Sequence, residues 1–107
     1  MVCVNVVVIA GAISGEPVRR TLPSGDQVTE LRVTVPEEGR RCLPLPVVVW
    51  PDAQGAEQAP SVQRGQCVVV HGRLVRRFYR SGAGARSLME VVASSVRVLD
   101  GPLPGDA

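Results

Sequence analysis

The chain has 107 residues, a formal net charge of +2 and 45% hydrophobic residues, which favours one globular domain with its own core and excludes a two-domain protein. The hydrophobic residues are unusual in kind, since 21 are valine and only 3% of the chain is aromatic. Valine suits the pleated surface of a sheet, and nine prolines and eleven glycines break the chain often. The composition therefore predicts many short strands.

All twelve basic residues are arginine, and the chain has no lysine. Arginine binds phosphate through a rigid fork and also stacks on flat rings, although a codon bias against lysine explains the same pattern equally well. The three cysteines, Cys3, Cys42 and Cys67, are not closely spaced, no signal peptide is recognisable, and no apolar run is long enough to span a membrane. We therefore expect a reduced, cytoplasmic protein with no membrane partner.

Valine-rich and alternating runs predict five strands in chain order. They are Val2–Ile13 with a short continuation at Val18–Leu22, then Gln27–Val35, Leu43–Trp50, Gln66–Arg80 and Ser87–Leu99. An irregular step in the alternation of Gln27–Val35 indicates a bulge, and Gly72 predicts a bend in the fourth strand. Pro44 and Pro46 place the first half of the third strand at a sheet edge.

Residues Asp52–Gln63 can form only a short helical or irregular connector, because Gly55 and Pro60 interrupt them. Three strands, a connector and a long hairpin predict an all-β fold, a five-stranded Greek-key barrel of the OB type whose sheet face binds oligonucleotides. We expect the OB-fold domain to span residues 1–100 and residues 101–107 to form a flexible tail.

The fourth strand is the segment that points to a ligand. Six arginines and no acidic residue lie between Gln58 and Met89, and Phe78 and Tyr79 stand among them. Cations beside exposed rings suit single-stranded nucleic acid, because the cations contact phosphates and the rings stack on unpaired bases.

Several segments together resemble the bacterial single-stranded DNA-binding proteins. Asn5–Gly11 is similar to the family's opening Asn-x-Val-x-Leu-x-Gly strand, and Arg64–Leu74 to its Lys-Gly-x-x-Val-x-Val-x-Gly-x-Leu. The remaining segments that carry the resemblance are Pro17–Gly25, Leu31–Val35, Val47–Trp50 and Glu90–Ala93. The ordered set covers residues 5 to 98.

The resemblance implies cooperative, sequence-tolerant binding of single-stranded DNA by a homotetramer, with a dimer as the alternative, in replication, recombination or repair. In that family the first strands of two subunits pair, which makes Val4, Val6 and Val8 candidate interface residues. The chain departs from the family in its few rings, in a short second hairpin and in the lack of a long acidic tail. Recruitment of other proteins through such a tail is therefore not expected.

The family match places Tyr79 on the DNA face, and strand alternation adds Arg77 and Arg73, two and six positions before it. We expect Trp50 and Tyr79 to stack on bases, while single arginines hold the backbone. The candidate backbone contacts are Arg20, Arg32, Arg73, Arg77 and Arg86. Phe78 is a further candidate, although its side chain alternates to the opposite face. The alternatives are a core role for Trp50 and Phe78 and a solvated role for any one arginine.

Catalysis is not expected, since the one histidine, His71, lies in mid-strand among valines. Cys67 and His71 would lie about 13 Å apart on a strand, too far to share a metal ion. We predict no enzyme activity, no metal and no cofactor. Two alternatives remain beside DNA binding: a primosomal replication accessory that acts mainly through protein partners, and an interaction module with no nucleic-acid role.

Overall fold

The computed structural model describes residues 1–39 and 42–99. These residues form six strands and one short 3-10 helix. The strands are β1 (Val7–Ile13), β2 (Val18–Thr21), β3 (Gln27–Thr34), β4 (Leu45–Gln54), β5 (Cys67–Ser81) and β6 (Gly84–Val98). The 3-10 helix, η1, spans Ala59–Ser61 between β4 and β5.

The strands make one sheet in the order β1-β5-β6-β4-β3-β2, and a second pairing between β1 and β3 curls the sheet towards closure. Strand β1 achieves this by changing partners. Its residues Val7 to Ala12 pair with β5, whereas Ala12 and Ile13 also pair with Thr34 and Val33 of β3. Gly11 permits the approach, since a side chain there would meet the carbonyl group of Thr34. The all-β OB-fold prediction is confirmed.

The strands differ from the sequence expectation at several points. The short segment Val18–Thr21 is an independent strand, so that the sheet has six strands rather than five. Strand β1 begins at Val7 and not at Val2, because the backbone of residues 1–6 pairs with no other strand in the described part of the chain. The predicted bulge in β3 is wrong: its pairing with β2 and β4 runs without a shift, and Val28 and Thr29 are both buried because both faces are covered at that point.

Strand β4 starts at an edge, as its prolines require. Leu45 and Pro46 pair with β3 alone, and β6 joins on the other side from Val47. A proline can occupy such a position because its missing N–H faces no partner strand. Strand β4 then continues beyond Trp50 to Gln54, farther than its apolar run indicates.

Strands β5 and β6 form a hairpin of 15 residues on each side, joined by the turn Gly82-Ala83. A bulge falls between His71 and Gly72, where the sequence predicted a bend. Because β6 gains β4 as a second partner only from Val91, residues 75–90 project from the barrel as a two-stranded arm.

The core fills the barrel with small branched side chains from every long strand. Its completely buried members include Leu31, Val47, Val68, Val70 and Val91. The predicted tail, residues 101–107, lies outside the described residues, and the boundary at residue 100 stays a prediction. Over the part of the chain that the structure describes, no helix is long and apolar enough to cross a membrane.

Candidate nucleic-acid interface

Strand register brings the predicted side chains of β2, β3 and β4 to one outer face. Arg20 is the pairing partner of Val28, and Arg32 is the partner of Pro46. Paired residues project to the same side of a sheet, and so do residues two apart on one strand. Trp50, two residues after Val48 and four after Pro46, therefore shares this face with both arginines.

The same face continues across β6 and β5 into the arm. Val48 of β4 pairs with Val92 of β6, which pairs with Arg73 of β5. Farther along the hairpin, Tyr79 pairs with Arg86. Because alternate residues of a strand share a side, Arg77 lies between Arg73 and Tyr79 on this face. Seven of the eight predicted DNA-binding residues thus face the same way, and Phe78 is the exception.

An open groove crosses this face, and we call it the arginine groove. Its lining consists of Arg20, Leu22, Val28, Val48, Trp50, Arg73, Val75, Arg76, Arg77, Glu90 and Val92. The floor is made of valine side chains from β3, β4, β5 and β6, whereas guanidinium groups form the sides. An apolar floor between cations suits a strand whose bases lie inward and whose phosphates lie at the rim.

Trp50 stands at one end of the arginine groove and is partly buried. A second depression begins there and shares Trp50, Arg73 and Val92 with the first; its other lining residues are Asn5, Asp52, Ala53, Gly72, Ala93 and Ser94. The groove therefore runs past the indole towards the bulge at Gly72. The indole is placed to contact a ligand on either side, and it also contributes to the wall between the two depressions.

Tyr79 and Phe78 both lie on the arm, outside the arginine groove. Tyr79 is 42% exposed and Phe78 is 72% exposed. Six residues separate Tyr79 from Arg73, which on a strand is about 20 Å. The two predicted stacking rings are therefore at the two ends of one face rather than side by side, while Phe78 projects from the reverse side of the arm.

Two glutamates interrupt the positive charge of the groove. Arg20 and Glu30 form an ion pair at 2.6 Å, and Arg77 lies 3.8 Å from a carboxylate oxygen of Glu30 and 3.8 Å from one of Glu90. Glu30 belongs to β3 and Arg77 to β5, and the sheet order places β4 and β6 between them. The line of ion pairs consequently crosses the groove from one side to the other.

The sequence analysis did not assign a role to either glutamate. Alternation along β3 places Glu30 with Arg32, and this was the one available signal. The approach of Glu30 to Arg77 depends on the curvature of the sheet across four strands, which no local pattern encodes. Among the residues that the structure describes, Arg32, Arg73 and Arg86 form no ion pair and are exposed.

Residues 1–39 and 42–99 contain no cluster of metal-binding side chains. No group of three His, Cys, Asp or Glu residues there could hold a metal ion. His71 is exposed, and its Nδ1 lies 3.3 Å from the hydroxyl of Ser95, away from the arginine groove.

The predicted interface valines form an exposed row at the start of β1. Val4 is 79% exposed, Val6 71% and Val8 57%. The side-chain amide of Asn5 donates to the carbonyl of Leu74 and its oxygen accepts from the Leu74 N–H, both at 2.8 Å, which ties this segment to β5. Within the described residues, the other edge of β1 has no partner before Ala12.

Comparison with known proteins decides the family. The model of the single-strand binding protein family matches residues 4–99. The chain belongs to this family. The matched range includes β1, the arginine groove and the whole arm.

A solved structure of similar fold is that of "Plasmodium falciparum SSB complex with ssDNA". The likeness covers 94% of this chain and 98% of the other, with a TM-score of 0.75 and 19% sequence identity. At this identity the likeness concerns the fold. No curated protein matches the chain.

Proposed function

We propose that the chain binds single-stranded DNA without sequence preference and without catalysis, in replication, recombination or repair. Membership of the single-strand binding protein family supports the ligand class. The observation that carries the proposal is the shared face: seven predicted contact residues from five strands lie on one side of the sheet, and four of them, Arg20, Trp50, Arg73 and Arg77, line a groove with a valine floor. Such a groove accommodates a flexible strand but not a rigid duplex.

In this proposal the bases stack on Trp50 and, at the arm, on Tyr79. Arg32, Arg73 and Arg86 contact phosphates directly, because they are exposed and have no acidic partner in the described part of the chain. Arg20 and Arg77 contact phosphates only after they exchange their glutamate partners. Phe78 takes part if the strand passes around the edge of the arm to its reverse side.

Trp50 is the only tryptophan and provides the test. Titration of the protein with oligo-dT at low salt should quench its fluorescence, since a stacked base perturbs the indole directly. Duplex DNA of the same length is the control and should quench little. Unchanged fluorescence, together with no retardation of a labelled oligonucleotide, would contradict the proposal.

We further propose that two copies pair through the free edge of β1, with Val4, Val6 and Val8 at the interface, and that dimers associate into a homotetramer. Three exposed valines support this: Val8 lies on the edge of β1 that has no partner before Ala12 within the described residues, and Val4 and Val6 directly precede that strand. Such edges are normally covered in folded proteins. A cytoplasmic, nucleoid-associated location follows from the ligand, and recruitment of partners through an acidic tail is not part of the proposal.

A primosomal accessory role is the second candidate. One observation favours it: Trp50 is the only ring that lines the arginine groove, and stacking on a ring contributes about 1–3 kcal/mol per base. A protein of this kind would bind oligo-dT weakly and form a stable complex with another replication protein. Parallel measurement of oligo-dT affinity and of partners retained on the immobilised protein separates the two roles.

A further inference from the structure

The arginine groove contains an internal anion, the carboxylate of Glu30. It lies 2.6 Å from the guanidinium of Arg20 on β2 and 3.8 Å from that of Arg77 on β5. The side chain of Glu30 is 26% exposed, so that it is neither sealed in the core nor fully in water. An anion that touches arginines from two sides of a groove occupies the position that an anionic ligand would take.

A carboxylate and a phosphate make the same kind of contact with arginine. Both accept charge-assisted hydrogen bonds from the guanidinium fork, and either can replace the other. Arg20 also retains unused capacity, since its Nε is buried and has no hydrogen-bond partner. A buried donor without an acceptor is costly, so that the pairing with Glu30 leaves Arg20 incompletely satisfied.

We infer that Arg20 and Arg77 form a phosphate subsite, and that Glu30 occupies this subsite until a strand of DNA displaces it. The inference rests on the proposed function, because the phosphate belongs to the bound strand. Displacement turns the Glu30 carboxylate towards solvent and leaves both arginines on the phosphate. Until then, Glu90 also contacts Arg77, from the floor of the groove. Its carboxylate lies 3.8 Å from the Arg77 guanidinium, and its side chain is only 8% exposed.

The inference predicts that Glu30 weakens DNA binding although it lies among the arginines that bind DNA. Glu30→Gln keeps the size of the side chain and removes the competing charge. We expect this variant to bind oligo-dT about two- to fivefold more tightly at low salt, the range that partly exposed ion pairs span. The slope of the logarithm of its binding constant against the logarithm of the salt concentration should be steeper by about 0.7 for each additional phosphate neutralised.

A double-mutant cycle tests whether Glu30 acts through Arg20. In the wild-type protein, loss of Arg20 also releases Glu30 from its partner, and Arg20→Ala should reduce affinity only slightly. In the Glu30→Gln background Arg20 is fully available, and the same substitution should reduce affinity several-fold more. Glu57→Gln is the matched control, because Glu57 is exposed and lies outside the groove; its affinity and slope should equal those of the wild type.

The outcomes separate this inference from the function on which it rests. If wild-type protein fails to bind oligo-dT, the proposed function is wrong and the subsite with it. If wild-type protein binds but Glu30→Gln binds equally or more weakly, the function stands and the subsite is overturned. Thermal unfolding checks each variant. If Glu30→Gln does not fold, Glu30→Asp, whose shorter side chain draws the carboxylate away from Arg77, should give a smaller gain in affinity, and no gain would overturn the inference.

Discussion

At the scale of single residues, the two predicted stacking rings have different surroundings. Trp50 is partly buried at the junction of two depressions, whereas Tyr79 projects from the arm about 20 Å from Arg73 along the strand. Substitution of Trp50 therefore alters the shape of the groove as well as its stacking surface. Tyr79 gives the cleaner test, because it is more exposed than Trp50 and lies outside the arginine groove.

We expect Tyr79→Ala to weaken oligo-dT binding by about 1–3 kcal/mol, the usual contribution of one stacked base. Tyr79→Phe should bind like the wild type, since it keeps the ring. Anisotropy of a labelled oligonucleotide measures both. Phe78→Ala, on the reverse side of the arm, should lose less affinity for oligo-dT than Tyr79→Ala does. If Tyr79→Phe proved as weak as Tyr79→Ala, the hydroxyl and not the ring would make the contact.

The arginines differ in a similar way. Arg73 is exposed, has no ion pair within the described residues and lines both depressions. Arg73→Ala should reduce the magnitude of the salt slope by about 0.7, the value for one phosphate of a single strand. Arg97, also exposed, lines a different depression with His71 and is the matched control. Equal slopes for Arg73→Ala and wild type would exclude a phosphate contact at this position.

At the scale of elements, strand alternation predicted which side chains share one face of a strand. The parity of Arg73, Arg77 and Tyr79 on one strand was sufficient to group them, because side chains alternate with a period of two. Partners across the sheet could not be predicted in this way. The contact of Glu30 with Arg77 requires the curvature of four strands, and residues 1–6 lack a strand partner in one chain despite their apolar pattern.

The bulge at His71 and Gly72 fixes how the arm leaves the barrel. A side chain at residue 72 would collide with the backbone of Val92 and Ala93, so that only glycine fits without movement. Gly72→Ala should lower the free energy of unfolding by about 1–3 kcal/mol, as overpacking does elsewhere. Denaturant titration measures this loss. Gly15→Ala, where nothing lies within 4 Å of the added atom, should change stability little; equal losses would show that the bulge is not the cause.

At the scale of the whole molecule, we expect a second copy of the chain to cover the free edge of β1. Val6 is 71% exposed on an edge that is unpaired within the described residues. Val6→Glu should lower the native mass in solution, because a charge at the centre of two paired edges is poorly solvated. Light scattering after gel filtration measures the mass. Val18→Glu places the same charge on an exposed valine of β2 and should leave the mass unchanged.

If wild-type protein is already monomeric at micromolar concentration, or if Val6→Glu leaves an oligomer intact, the β1 edge is not the interface. The DNA-binding face does not depend on that result, since all of its residues come from one chain. Assembly would instead set how many grooves one strand can occupy, and therefore the avidity of the whole particle.

The central claim is that a single strand lies along one face, from the indole at the end of β4 to the phenol on the arm. Photo-crosslinking of a halogenated oligo-dT, with the crosslinked residues mapped by mass spectrometry, tests it most directly. We predict crosslinks at Trp50 and Tyr79 and none at the connector Ala59–Ser61. Crosslinks confined to that connector or to Val4, Val6 and Val8, in protein that binds the oligonucleotide, would contradict the account.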